Sequence, residues 1–324
     1  MTVGDKQFPD GPPLGKLAPS GGSAVHEVTS VGITFPVAII GVGNMGGGMA
    51  RNLLARGWPV NVCDIDAEKV QNLVPFGAVA HVNPAQAAIN SVVTIVCVVN
   101  AAQTQEVLFG ADGVAQAMQL GRVVMLCPTL APEDVERFAR ELIPQGLHTI
   151  DAPMSGGPAR AADGSMSLMV ACEPMVFERH RALIEALSSK VFRISERVGD
   201  GARTKLVNNL AAGINLVGAA EVLVMAQKMG LALDKTLDVI EQSSGQSWIG
   251  SDRMRRAIAG DYAPLAHMTL LEKDTRLAVD AAKAIHFEGP LGAAARDVFA
   301  QASAGGLDGL DDAALFQWLG RHQG

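Results

Sequence analysis

Between Pro36 and about residue 153, short apolar runs rich in Val and Ile alternate with stretches of helical spacing, and this alternation constrains the fold more than any other feature of the chain. "FPVAII" gives way to "GVGNMGGGMARNLLARGW" and then to a second apolar run, "VNVCD". "DAEKVQNLVPF" precedes "AVAHV". "PAQAAINS" precedes "VVTIVCVV", a continuous apolar run of the kind carried by strands buried on both faces. "AQTQEVLF" and "GVAQAM" have helical spacing, and "RVVMLC" reads as a further strand. "APEDVERFARELI" opens with Pro and acidic residues, as a helix start should, and leads to "HTIDAP". Strands separated by helices pair in parallel and need both faces covered. The predicted class is α/β, with an N-terminal doubly wound parallel sheet. After about residue 195 the strand signal stops. Helical segments punctuated by Gly230, Gly245, Gly260, Pro264 and Pro290 follow, so an all-α C-terminal domain is expected, joined by the long apolar stretch from Gly199 to Gly230. The boundaries read from these changes are a disordered, Pro/Gly/Ser-rich tail at 1–33, a sheet domain at 34–196 and a helical domain at 197–324.

The turn after the first strand is G-x-G-x-x-G: Gly41, Val42, Gly43, Asn44, Met45, Gly46. The first glycine permits the tight turn, the second lets a pyrophosphate reach the backbone, and the third lets the helix pack close to the strand. The helix N-terminus then offers free N–H groups to the phosphates. A glycine-rich turn that merely packs is the alternative, and the run Gly46-Gly47-Gly48 keeps it open. The context favours a Rossmann dinucleotide site, because Asp64 closes the second strand eighteen residues after Gly46. A carboxylate there accepts hydrogen bonds from ribose hydroxyls and repels a 2′-phosphate, and no Arg follows it at once. NAD is therefore expected in preference to NADP. Asp64 or Asp66 can also cap the next helix, and Asp66 can do so while Asp64 binds ribose.

Two further motifs carry chemistry. In "DAPMSGGPARAADGSM", Ser155, Gly156 and Gly157 can present a hydroxyl and backbone N–H groups to a carboxylate, or form an ordinary turn. In "GDGARTKLVNNLAAG", Lys205 and Asn209 are four residues apart and share a helix face, with Asn208 beside them and Gly213 expected to keep the surface open. A lysine on an otherwise apolar helix is either exposed at the first turn or buried with work to do. Burial lowers its pKa toward working pH and suits it to proton transfer with a substrate hydroxyl, with Asn209 holding the substrate or orienting the lysine.

"GVGNMG", "DAPMSGG", "GDGARTKLVNN" and "LLEKDTRLA" resemble, in order and spacing, the four motifs of the β-hydroxyacid dehydrogenase family, and the resemblance spans about residues 36–320. It implies a Rossmann domain followed by a helical substrate and oligomerisation domain, and NAD(P)-linked oxidation of a small 3-hydroxy acid. It implies that Lys205 is catalytic and that Ser155, Gly156, Gly157 and Asn209 surround the substrate carboxylate. By the same resemblance Lys273 and Thr129 reach the cofactor, and Val98 and Val99 line the dinucleotide cleft. Two departures bear on the cleft: Leu126 stands where the family often has Asp, and "CVVN" replaces a proline-containing turn. The expected substrate is like 3-hydroxyisobutyrate. "SGGPARAADGSM", "GQSWIGSDRM" and "GDYAP" also resemble dehydrogenases of L-threonate and other C4 sugar acids, and Ser247 or Asp252 would then stand near the substrate. A reductase of tartronate or succinic semialdehyde, or a dinucleotide sensor without catalysis, are the alternatives. Imine reductase relatives share the architecture but usually lack the lysine.

Composition bounds the partners. With 26 Lys+Arg against 33 Asp+Glu the chain carries a formal charge of −7, which argues against general binding to nucleic acid or anionic membranes. No apolar stretch of about 18 residues runs free of polar interruption, so no membrane span is expected. The tail lacks the apolar run of a secretory signal. Cys63, Cys97, Cys127 and Cys172 show no Cys-x-x-Cys pair, and His81, His148, His267 and His286 no ligand spacing, so neither disulfide nor metal site is expected and a reducing cytoplasmic setting fits. Trp248 and Tyr262 are expected in the core or at subunit contacts. The long apolar helix is a candidate surface for a homodimer or homotetramer.

Overall fold

The computed structural model describes residues 34–321; the tail expected at 1–33 lies outside the described residues. Strand β1 (Val37–Ile40), the glycine turn, helix α1 (Asn44–Ala55) and strand β2 (Val60–Cys63) form the first βαβ unit. The sheet continues with β3 (Val79–Ala80), β4 (Val93–Val96), β5 (Val123–Leu126) and β6 (His148–Asp151), all parallel and in the order 3-2-1-4-5-6. Connecting helices α2 (Ala67–Gln71), α3 (Pro84–Ala88), α4 (Ala101–Phe109), α5 (Val114–Ala117) and α6 (Pro132–Leu142) join these strands. Every residue of β1, β4 and β5 is buried, as strands covered on both faces require. One core face is built on Ile39, Leu53 and Ile95, the other on Leu108, Val124 and Phe138.

Beyond β6, past the alternation that reads as parallel in the sequence, the sheet acquires an antiparallel edge. β7 (Met154–Ser155) leads through α7 (Gly157–Asp163) to β8 (Ser167–Ala171), which runs antiparallel to both β7 and β6. A parallel return needs a crossover of about a dozen residues or more. Helix α7 is a seven-residue helix that ends at Gly164 in the left-handed region, so the chain simply doubles back. Helix α8 (Pro174–Leu187) then restores a parallel partner, β9 (Lys190–Ser195), beside β8.

Every later element is helical: α9 (Asp200–Lys228), α10 (Leu233–Glu241), α11 (Trp248–Ile258), α12 (Met268–Ala284), α13 (Pro290–Ala302) and α14 (Leu315–Arg321). Helix α9 packs on β6, β8 and β9 at its start and on α10 to α14 further along. It is long and apolar enough, by length and composition, to cross a membrane. Here that composition serves packing, with Leu216, Ala220 and Leu223 in a core shared with Met268 and Phe299. Asp311 fixes the approach to α12. Its buried carboxylate accepts the N–H groups of Leu265 and Ala266 and pairs with Arg256 on α11.

Candidate active site

The cofactor half is built on the glycine turn. Gly41 has φ +91°, and a Cβ there would stand 2.5 Å from the carbonyl oxygen of Cys97. A Cβ on Gly46 would meet the Gly41 carbonyl oxygen at 1.9 Å, so α1 can start this close to β1 only without a side chain. Gly43 has open space around it, as an approaching pyrophosphate needs. The first turn of α1 carries no acidic residue and no side-chain cap, which leaves its N–H groups to a ligand. Asn44 is exposed, Met45 half-buried and Val42 buried. Gly48 packs the other way, against Ala161 of α7.

Asp64 is tied to this turn. Its carboxylate accepts the N–H of Val42 at 2.7 Å and that of Asp66 at 2.9 Å. Two oxygens offer about four acceptor sites, so capacity for ribose hydroxyls remains. Asp66 caps α2 through the N–H of Glu68, which separates the two roles that one sequence position left open. Val98 is half-buried beside Gly41 and Val99 is exposed, both just beyond β4. Thr129 follows β5, and its carbonyl accepts a hydrogen bond of 2.7 Å from Lys273 Nζ on α12. This bridge between the sheet and the helices lines a cavity of about 230 Å³ with Asn100, Asp134 and Arg276. The turn, Asp64 and this cavity fit a dinucleotide. Burial pushes the Cys63 thiol up to about 11 and those of Cys97 and Cys172 up to about 12, away from the thiolate form.

The chemical half is built on α9. Asp151, at the end of β6, is buried, and its Oδ2 accepts the N–H groups of Gly199 at 2.8 Å and Ala202 at 3.1 Å. Gly201 lets them meet, since a Cβ there would lie 2.9 Å from the Asp151 carboxyl. Burial nonetheless pushes the Asp151 carboxyl up to about 6, against the pull of these N–H groups. The sheet thus fixes the start of the helix that carries Lys205 one turn later. Lys205 is 7% exposed and Asn209 8%. Asn209 donates to Asp274 Oδ2 on α12 at 2.5 Å and accepts from Asn208 at 3.0 Å. Lys273 Nζ pairs with Asp274 Oδ1 at 3.0 Å without hydrogen-bond alignment. Burial lowers the Lys205 pKa from 10.5 to about 8; the Asp274 charge opposes the fall and that of Lys273 adds to it. The lysine is not a surface residue, and it can change protonation state near neutral pH.

One expectation needs correction. Gly213 does not keep a surface open. It is buried, and a Cβ there would lie 2.6 Å from Thr275 Cγ2, so this glycine brings α12 and its Asp274 close to α9. Of the two places expected for Trp248, the core or a subunit contact, the first is excluded: it is 56% exposed, with the Arg160 guanidinium carbon 5.3 Å from its ring centroid. Ser155 ends β7, paired with Ser167 of β8, and Gly156 and Gly157 follow with φ +134° and +77°. Met169 of the same strand β8 presents its carbonyl to Gly201, which places this loop and the start of α9 along one strand. Asp151 and Asp274 were both in view in "DAPMSGG" and "EKD". Their roles rest on contacts 48 and 65 residues apart in the chain, which no local spacing reports.

Comparison with known proteins agrees with this geometry. The profile for the NAD binding domain of 6-phosphogluconate dehydrogenase matches residues 36–195. That described as the NAD-binding region of NADP-dependent 3-hydroxyisobutyrate dehydrogenase matches residues 199–319. L-threonate dehydrogenase of Cupriavidus necator is 38% identical over 281 residues, covering 87% of this chain and 95% of that protein. The 3-sulfolactaldehyde reductase of Escherichia coli K12 is 31% identical over 87% of this chain and 94% of its own length. Among solved structures, a 3-hydroxyisobutyrate dehydrogenase from Salmonella typhimurium superposes with a TM-score of 0.83 at 36% identity, covering 88% of this chain and 99% of that one.

Proposed function

This chain belongs to the β-hydroxyacid dehydrogenase family and is an NAD(P)-dependent hydroxy-acid dehydrogenase, and from that membership we propose that Lys205 is its general acid/base. The observation that carries the assignment is a buried lysine with its pKa drawn down to about 8 beside the Asn209–Asp274 pair. In oxidation, neutral Lys205 takes the proton of the substrate hydroxyl; in reduction, protonated Lys205 returns it. The dinucleotide, when bound, supplies the hydride acceptor. Asn209, fixed by Asp274, holds the substrate beside the lysine, and Ser155, Gly156 and Gly157 receive the substrate carboxylate. Gly41, Val42, Gly43, Asn44, Met45 and Gly46 hold the pyrophosphate, Asp64 the ribose, and Val98, Val99, Thr129 and Lys273 the nicotinamide end. In this reading both portions, 34–196 and 197–324, contribute to each half of the site: Ser155, Gly156 and Gly157 of the first reach the substrate and Lys273 of the second reaches the cofactor.

NAD is the preferred cofactor in this reading, because the Asp64 carboxylate would meet a 2′-phosphate with like charge. The substrate is a small 3-hydroxy acid. Similarity at 37–38% identity to L-threonate dehydrogenases of Cupriavidus necator and Escherichia coli K12 favours a C4 sugar acid over 3-hydroxyisobutyrate. Val207, Val222 and Met225 on α9, with Met229 just past its end, leave an exposed apolar stripe. A groove of about 720 Å³ beside it, lined by Leu237, Ile240, Ser247 and Leu291, supports a homodimer or homotetramer formed through the helices. Four unpaired thiols support a cytoplasmic setting. The test is reduction of NAD and of NADP by the purified protein with L-threonate, 3-hydroxyisobutyrate, D-glycerate and 4-hydroxybutyrate. Turnover of one acid with NAD is expected; binding of NAD without turnover of any acid would favour a sensor instead.

A further inference from the structure

The Ser155–Gly157 loop offers a hydroxyl and backbone N–H groups to a carboxylate, but no charge. Lys205 must become neutral to accept a proton, and Lys273 is engaged with Thr129 and Asp274. Arg276 faces the cofactor-side cavity. Arg160 is a further cation beside the loop. Arg160 lies one helical turn beyond Gly156, and helical side chains lean toward the N-terminus, so its stem comes back to the loop. A Cβ built on Gly156 would lie 2.9 Å from Arg160 Cδ. Its neighbour Ala161 faces α1, which turns Arg160 away from that packed side.

The guanidinium reaches across to Trp248 at the start of α11 and rests on the ring face at 5.3 Å. Stacking uses the face of the guanidinium and leaves its in-plane N–H donors free. Among the described residues none of these donors has a hydrogen-bond or ion-pair partner; the charge adds only a minor pull on Asp163, whose carboxylate is engaged with the N–H of Ser165. An arginine seated over an aromatic ring beside a loop of neutral donors, its own donors without a partner among the described residues, is available for bidentate recognition of an oxyanion.

We propose that Arg160, seated on Trp248, supplies the positive charge that selects a carboxylate at the Ser155–Gly157 loop. The assignment rests on the dehydrogenase reading of the same cleft and adds to it the residue that makes the enzyme require an acid. The Arg160–Trp248 pair also joins the sheet portion to the helices across the cleft, so an acid bound there sits under a contact that both portions build.

The test compares the acid that the wild-type enzyme oxidises with its methyl ester, in Arg160→Met, Arg160→Lys and Trp248→Ala. Loss of a charge-assisted hydrogen bond corresponds to about a 10- to 100-fold rise in KM. Arg160→Met should show that rise for the acid, with kcat and the KM for NAD little changed and ester turnover unaffected. Arg160→Lys should recover part of the loss, and Trp248→Ala should show a smaller rise. An Arg160 that only braces the two portions would lower acid and ester turnover alike, and that result, or an unchanged KM for the acid, overturns the proposal while leaving the dehydrogenase reading in place. A wild-type chain that oxidises no hydroxy acid overturns both.

Discussion

The pH dependence of turnover is the sharpest consequence of burying Lys205. With a pKa of about 8, roughly one lysine in ten is neutral at pH 7; at the ordinary value of 10.5 the fraction would be about 3 in 10,000. The burial of one side chain therefore makes about 300-fold more of the competent base available at pH 7, equivalent to about 3 kcal/mol. For oxidation, kcat/KM should rise about tenfold per pH unit below 8 and level off above it, because the neutral amine is needed. For reduction it should be level below 8 and fall above it, because the ammonium is needed. Asp274→Asn keeps an acceptor for the Asn209 amide but removes the charge that holds the lysine pKa up. Both inflections should then move to lower pH, whatever the change in plateau rate. Lys205→Met should lower kcat by about 10²- to 10⁴-fold and abolish the inflection, while leaving NAD binding intact. Initial rates in both directions, with saturating cofactor across pH 6–10, decide the matter. An inflection that survives in Lys205→Met, or that stays put or rises in Asp274→Asn, would refute the reasoning.

Two further outcomes follow from carboxylates. Asp64→Ala should narrow the preference for NAD over NADP by at least tenfold in kcat/KM, since like-charge repulsion of the 2′-phosphate disappears; an unchanged ratio counts against Asp64 as the ribose reader. Asp151 has a folded-state pKa of about 6, above the ordinary 3.8, so its contribution to stability is fully present below pH 3.8 and is lost as pH rises through 6, by about 3 kcal/mol in all. Asp151→Asn does not titrate, so its melting temperature relative to wild type should rise by several degrees between pH 4.5 and 7.5; a relative fall over that interval would show that the N–H groups of α9, not burial, dominate the carboxylate.

Much of this architecture is legible in the sequence because it rests on neighbours in the chain. The run from Val37 through Gly46 to Asp64 encodes a strand, a turn with no room for a Cβ and a helix, and each piece constrains the next over a few residues. Lys205 and Asn209 are visible as a pair because one helix face brings them together. The rest depends on which elements meet. Nothing near Gly213 says whether its missing side chain leaves a cavity or admits Thr275, and the sequence alone favoured the wrong choice. The antiparallel edge follows from the shortness of α7, a length that composition does not fix. Trp248 reads as a residue of the core or of a subunit contact, and only the structure sets it beside Arg160.

The contacts that escaped the sequence are also those that give Lys205 its chemistry, and this has a physical cause. A lysine four residues from an asparagine is common on helices, and most such lysines are exposed and fully charged at neutral pH. What distinguishes Lys205 is that Asp151 anchors the start of its helix to the sheet while the missing Gly213 side chain lets α12 close over it. Together they remove the ammonium from water. Burial draws the pKa down, Asp274 limits the fall, and Lys273 on the same helix offsets part of that limit. The value of about 8 is thus a balance between burial set by two elements and a carboxylate delivered by a third. A single residue pattern can nominate the lysine, but its reactivity near neutral pH is a property of the packed interface between the sheet, α9 and α12.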